Sequence, residues 1–419
     1  MRFGVNYTPS HGWFHTWLNP DWQAIGRDLD QIASLGADHI RVFPLWPILQ
    51  PNRTMINRQG LDDLHQMVDM AGQRGLDSFV DVIQGHLSSF DFLPSWVTTW
   101  HARNIFTDEP TVQAEVDLIF QVYRSLEDLD GFRGLTVGNE CNQFLGTAHP
   151  LGMTATSEQV EAWIDALISP LAARAEQDHR ILVHSEDDAV WYLPGHAFTP
   201  VQQGHIGSLS TVHAWVFNGV ASKYGPVSPE CLNHGRYLIE LAKAYEDQAH
   251  RQVWAQEIGA PLNVMTAAQA PTFMQESVRR MAQAEDLFGI TWWCSHDVNR
   301  SLADFPDLEY DLGLIDQEGQ VKELGRLFAS LAEEIHNLPN DRQDGGNANR
   351  DRVAIVLPSD PEGMSQIRSA CAPGGRIFEA WMNDADSGES PLFTNQDRAN
   401  DAAYLAERGI ARLVTAESL

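Results

Sequence analysis

"GLTVGNE" occupies residues 134–140, and its reading decides the fold. Leu135 and Val137 alternate as in a β-strand, no helical period is present, and the run ends on an amide and a carboxylate, Asn139 and Glu140. A buried strand that gives out on two functional side chains, where a turn residue usually stands, points to a sheet that presents its chemistry at the C-terminal ends of its strands. The rest of the chain must then supply sister strands and a partner for the glutamate.

Seven further β-rich runs do so: "RFGVNY" (2–7), "DHIRVFPLW" (38–46), "DSFVDVIQG" (77–85), "RILVHSED" (180–187), "STVHAWVFN" (210–218), "QVWAQEIG" (252–259) and "GITWWCSH" (289–296). Amphipathic segments lie between them. "DWQAIGRDLDQIASLG" (21–36) puts Ile25, Leu29, Ile32 and Leu35 on one face and stops at Gly36. Segments 61–74, 111–128, 158–176, 230–248, 271–287 and 321–336 read the same way. This alternation predicts a (β/α)₈ TIM barrel over residues 1–337. A doubly wound open sheet is the competing fold, but no glycine-rich phosphate loop follows the first strand.

Residues 338–351, "LPNDRQDGGNANRD", are polar and aperiodic, the signature of a linker. Beyond it, "RVAIVLP" (352–358), "RIFEAWM" (376–382) and "IARLVTA" (410–416) read as strands of a small α/β accessory or oligomerisation segment over 352–419. Three strands bury little surface by themselves, so the segment is expected to pack on the barrel or on a neighbouring subunit.

The chain carries 28 basic against 57 acidic residues, a formal charge of −29, which argues against nucleic acid or an acidic membrane surface as partner. No apolar run reaches the length of a membrane span. The start, "MRFGVNYTPS", has no signal-peptide pattern, and Cys141, Cys231, Cys294 and Cys371 are far apart with no CxxC spacing, so a reducing cytoplasm is the expectation. No metal and no cofactor is implied: HExxH, GxSxG, a paired HxH after the first strand and a strand-end lysine are all missing from the sequence.

The strand ends instead collect carboxylates, histidines and tryptophans: Asn6, Arg41, His86, Asn139 with Glu140, Glu186 with Asp187, His213 with Trp215, Glu257, and Trp292, Trp293, His296 and Asp297. Glu257 closes its strand as Glu140 does, on the seventh strand against the fourth. Two glutamates facing each other across a barrel mouth are the arrangement that cleaves glycosidic bonds, with retention at about 5–5.5 Å separation and inversion at about 6.5–9.5 Å.

These residues resemble the signature of clan A retaining glycoside hydrolases, in particular family 5, over the barrel segment. The resemblance rests on Arg41, Asn139 with Glu140, His213, Glu257 and the eighth-strand tryptophan, in that order. It implies Glu140 as general acid and base, Glu257 as nucleophile, and Asn139 as donor to the sugar 2-hydroxyl. Arg41 is then the expected cation beside Glu257, His86 and His213 contact hydroxyls or the carboxylates, and Trp293, in preference to Trp292, floors the subsite. The family's usual His-x-Tyr on the sixth strand is "HAW" here, leaving Trp215 or Tyr224 to take the tyrosine's place.

"GVNYTPSHGWFHTW" (4–17) and "TWWCSHDVNR" (291–300) are similar to the bacterial β-mannosidase branch of family 5. That likeness implies a small oligosaccharide substrate, the mannosyl-β-1,4-N-acetylglucosamine of the N-glycan core, cleaved from its end. The last segment resembles the trimerisation domain of certain β-galactosidases, which implies a homotrimer. A β-galactosidase or β-glucosidase of the same clan would keep the same catalytic residues, and a catalytically silent sugar-binding protein is the non-enzymatic alternative.

Overall fold

The computed structural model describes residues 1–84, 86–101, 103–146, 149–338 and 351–419. Eight parallel strands form one sheet: β1 (Arg2–Asn6), β2 (His39–Val42), β3 (Asp77–Gln84), β4 (Phe132–Asn139), β5 (Ile181–Ser185), β6 (Ser210–His213), β7 (Val253–Ile258) and β8 (Leu287–Trp292). Consecutive strands pair with each other except β5 and β6, and β8 returns to pair with β1. The β5–β6 seam carries no strand ladder. It is stitched by Ser208 N–H to the Leu182 carbonyl (2.8 Å), Leu182 N–H to Ser208 Oγ (2.9 Å) and Thr211 Oγ1 to the His184 carbonyl (2.9 Å). A nearly closed (β/α)₈ barrel results.

Helices α1 (Trp22–Ser34), α2 (Arg58–Gly72), α3 (Glu109–Leu126), α4 (Ser157–Gln177), α5 (Pro229–Lys243), α6 (Ala270–Met281) and α7 (Glu323–His336) lie outside the strands. They are the seven amphipathic segments of the sequence. In α1 the Asp21 side chain caps the first turn by accepting from Gln23 and Ala24 N–H, while Ile25, Leu29 and Ile32 are buried against the sheet. The unit after β5 has only two short helical turns, Ala189–Tyr192 and Pro200–His205, in agreement with the gap in the helical pattern there.

The opening stretch shows why its glycine is needed. Gly134 has φ +155°, and a Cβ there would collide with the Ile181 carbonyl of β5, so β4 reaches its neighbour only without a side chain at that position. Register then carries the functional residues to one end. Asn6 stands opposite Arg41, Asn139 opposite both Gln84 and Ser185, and His213 opposite Glu257.

Past residue 350 a three-stranded parallel sheet, ordered β10–β9–β11, is formed by β9 (Arg352–Leu357), β10 (Leu392–Asn395) and β11 (Ile410–Thr415), with helices α8 (Pro361–Cys371), α9 (Arg376–Asp386) and α10 (Ala402–Glu407). The expected strand at 376–382 is a helix. Ile377, Phe378, Trp381 and Met382 are its buried residues, a spacing of one and four that fits a helical face, and "LFTN" supplies the third strand, at an edge of the sheet, instead. The layer packs on α5. Tyr237 Oη donates to the Cys371 carbonyl (2.7 Å), and buried Arg408 pairs with Glu240 (3.1 Å). Most of the expected linker, 339–350, lies outside the described residues. No described helix is long and apolar enough to cross a membrane.

Candidate active site

Arg41 organises the site. Fully buried, it sends Nε and Nη2 to Asp81 (3.2 and 2.7 Å), Nη1 to Asn6 Oδ1 (2.8 Å), the Gln256 carbonyl (3.3 Å) and Glu257 Oε1 (3.0 Å), and a second Nη2 bond to Asn139 Oδ1 (2.8 Å). One guanidinium thus ties β1, β3, β4 and β7 together by the fixed fork of donors that only arginine offers. Asn6 serves this network, with Nδ2 donating to the Gln256 and Trp292 carbonyls, and does not line the cavity. Because Arg41 fixes the Asn139 oxygen, the Asn139 amide NH₂ faces the other way, toward the His86 carbonyl at 3.4 Å.

The two glutamates stand at the mouth with His213 between them. His213 Nδ1 is 2.6 Å from Glu140 Oε1 and 3.5 Å from Glu257 Oε2. A carboxylate oxygen of each glutamate and a ring nitrogen of His213 all lie within 4.8 Å of one another. Glu257 also accepts from Trp215 Nε1 at 3.0 Å, so both of its oxygens are held by donors. Trp215 supplies the hydrogen bond that a tyrosine was expected to give. Tyr224, the other candidate, turns to Glu379 in the C-terminal layer at 2.5 Å.

Glu140 shares His213 but is otherwise held differently. It leaves β4 in a left-handed conformation, φ +48°, rare for a residue with a side chain, with its N–H fixed by the Ser185 carbonyl (2.8 Å) and Oε2 accepting from Gln143 (2.8 Å). Burial pushes its carboxyl up and the nearby Glu257 charge adds to this, while His213 pulls the other way; the outcome is a raised pKa. For His213, burial favours the neutral ring, but the two carboxylates override it and raise its pKa to about 9. Gln256 fixes the other ring nitrogen. Its amide donates to Thr136 Oγ1 (3.0 Å), which presents its oxygen to His213 Nε2 (3.3 Å) and makes that nitrogen a donor.

A cavity of about 250 Å³ opens over these groups. Glu140, Glu257, Trp215, Trp293, His86 and the strand-end Asp187 line it, together with Gln143, Asn218, Ser88 and Glu309, which the strand ends do not include. Of the eighth-strand pair, Trp293 faces the cavity and Trp292 is sealed in the core. His296 and Asp297 do not line it. His296 bonds to Ser295 and Gln31, while Asp297 is clamped by Lys322 (2.9 Å) and the Gly313 N–H (2.7 Å). Both lie past the end of β8, where strand alternation no longer sets direction. Trp13, Trp17, Trp46, Trp96 and Trp191 are all buried packing residues.

A barrel with two mouth glutamates within reach of each other, one tied to an arginine, defines a glycoside hydrolase. No family model and no curated protein matches the chain. Solved structures do. A GH5_18 protein from Bifidobacterium longum subsp. infantis shares 47% identity over 99% of this chain and 96% of its own, with a TM-score of 0.94. A Glu-to-Ala variant of GH5_18 from Bifidobacterium longum subsp. longum ATCC 55813, solved in complex with Manβ1-4GlcNAc, shares 47% over 99% and 96% (TM-score 0.93). A Glu-to-Ala variant of GH5_18 from Streptomyces cattleya, also in complex with Manβ1-4GlcNAc, shares 44% over 100% and 99% (TM-score 0.92). The chain belongs to GH5_18, within glycoside hydrolase family 5.

Proposed function

We propose that this enzyme is a retaining exo-β-mannosidase that releases mannose from short β-mannosides, with Manβ1-4GlcNAc as its substrate. The observation that carries the reading is that one carboxyl oxygen of Glu140 and one of Glu257 lie within 4.8 Å of each other, in keeping with the roughly 5–5.5 Å spacing of retaining pairs. The disaccharide is the ligand of two relatives that match this chain along nearly its whole length.

In the proposed mechanism Glu257, held by Arg41 and Trp215, attacks the anomeric carbon as Glu140 gives its proton to the glycosidic oxygen and N-acetylglucosamine leaves. Glu140, now ionised, takes a proton from water, whose oxygen displaces Glu257 and yields β-mannose. The roles follow the environments: the acid is the glutamate whose carboxyl is raised, the nucleophile the one between two donors. We assign Asn139 to the 2-hydroxyl, as the family resemblance implies; hydrogen bonding there strengthens as the oxocarbenium-like transition state forms. Trp293 is the floor for the apolar face of the sugar, and His86 a contact on the cavity wall.

Hydrolysis of p-nitrophenyl β-mannoside, β-galactoside and β-glucoside beside Manβ1-4GlcNAc tests the substrate. Preferential release of mannose supports the reading; a better galactoside or glucoside overturns its sugar and leaves the two glutamates standing. For assembly we propose a homotrimer through the C-terminal layer, on the likeness of that layer to known trimerisation domains. Light scattering should give three times the chain mass of 46.8 kDa; the mass of a single chain contradicts it.

A further inference from the structure

Glu309 lines the cavity and has no part in the mechanism above. It comes from the helical turn Asp307–Asp311 in the loop after β8, and its Oε2 accepts from Ser88 Oγ at 2.7 Å. Its other oxygen takes no hydrogen bond from the described residues. Burial pushes this carboxyl up to about 7 against the pull of Ser88 and His86. A third carboxyl in a cavity that already holds Glu140 and Glu257 is costly unless a polar ligand completes its hydrogen bonds.

Its support is built at some expense. Ser88 and Ser89 have φ +49° and +71°, at the turn of the hairpin that pairs His86–Leu87 with Phe90–Asp91. Two successive left-handed residues suit glycine and asparagine far better than serine. Strain of this kind marks places where a side chain has to be aimed. Here it sets the Ser88 hydroxyl on Glu309 and the Ser89 N–H on His86 Nε2 (3.1 Å), so that one short hairpin orients two cavity-lining residues from the loop after β3.

We infer that Glu309, positioned by Ser88, binds a hydroxyl of the sugar ring in the cavity at C3, C4 or C6, and is a specificity-determining residue of that subsite. The inference rests on the glycosidase reading above and adds to it the group that recognises the ring edge away from C2. A site built to hydrogen-bond a hydroxyl rejects the analogue that lacks it, because the partner is then left unsatisfied.

The experiment is a set of cycles: kcat/KM of the wild type, Glu309→Gln and Ser88→Ala on p-nitrophenyl β-mannoside and its 3-, 4- and 6-deoxy analogues, with thermal midpoints to confirm folding. Glu309→Gln should cost about 30-fold or more on the parent glycoside but less than about 3-fold on one deoxy analogue, the one missing the hydroxyl it reads. Ser88→Ala should show the same preference at smaller size. Equal losses on all four compounds, or no loss on the parent, overturn the inference. Should the wild type prefer another glycoside, the mannoside reading falls, and the same cycles on that sugar's deoxy series decide the role of Glu309 separately.

Discussion

The ends of β4 and β7 present the same side chain in opposite settings. Glu257 stays within β7, where the pairing with both β6 and β8 shifts by one residue, and meets Arg41 on one oxygen and Trp215 on the other. Glu140 breaks from its strand in a left-handed turn and meets a histidine and an amide. Backbone register alone would make the two equivalent. What separates them is the company each keeps, and the Arg41 guanidinium goes to only one. Environment, not residue type, therefore assigns the acid and the nucleophile.

The comparison breaks most completely at Glu257. Glu257→Ala should lower turnover of any aryl β-mannoside by at least about 10,000-fold, and azide should restore part of it with an inverted, α-configured product, as polarimetry or NMR of the azide adduct would show. Retained activity would remove the nucleophile from the account. Glu140→Ala should be selective instead. Activity on Manβ1-4GlcNAc, whose leaving group needs a proton, should fall about 1,000-fold, while dinitrophenyl β-mannoside loses little in its first step. A uniform loss across leaving groups argues against the acid role.

Smaller changes sharpen the contrast. Trp215→Phe deletes one donor to Glu257 and keeps the ring, so kcat should drop about 10- to 100-fold with the thermal midpoint nearly unmoved. His213→Asn removes the group that holds the Glu140 pKa down, so the alkaline limb of the kcat/KM profile should move to higher pH. The same substitution has a stability signature. The His213 pKa is raised on folding from 6.5 to about 9, so its contribution is full below pH 6.5 and is lost as the pH rises through 9. At about 1.4 kcal/mol per pKa unit this is of order 3 kcal/mol. The midpoint difference between wild type and variant should therefore narrow across that window; a difference independent of pH contradicts the charged ring.

The barrel was legible because each of its signals is local. Alternation writes the strands, amphipathic spacing writes seven helices, and the gap after "RILVHSED" matches the absence of a long helix there. Glu140, Glu257, Arg41 and His213 were legible as strand-end polar groups, and parallel register brought them together. Where the chain leaves the strands, the rule stops working. His296 and Asp297 follow β8 in sequence but turn to Gln31 and to Lys322. Glu309 and Ser88 meet across 221 positions of chain, from two loops with no period to announce them. In the C-terminal layer "RIFEAWM" has strand-like composition, yet the faces of Ile377, Phe378, Trp381 and Met382 that must be buried coincide only in a helix.

The most direct test of the central claim is the anomer formed first. Proton NMR of Manβ1-4GlcNAc hydrolysis, recorded before mutarotation, should show β-mannose as the initial product, since double displacement through Glu257 retains configuration. Initial α-mannose would contradict the double displacement, and with it the separate roles of the two glutamates.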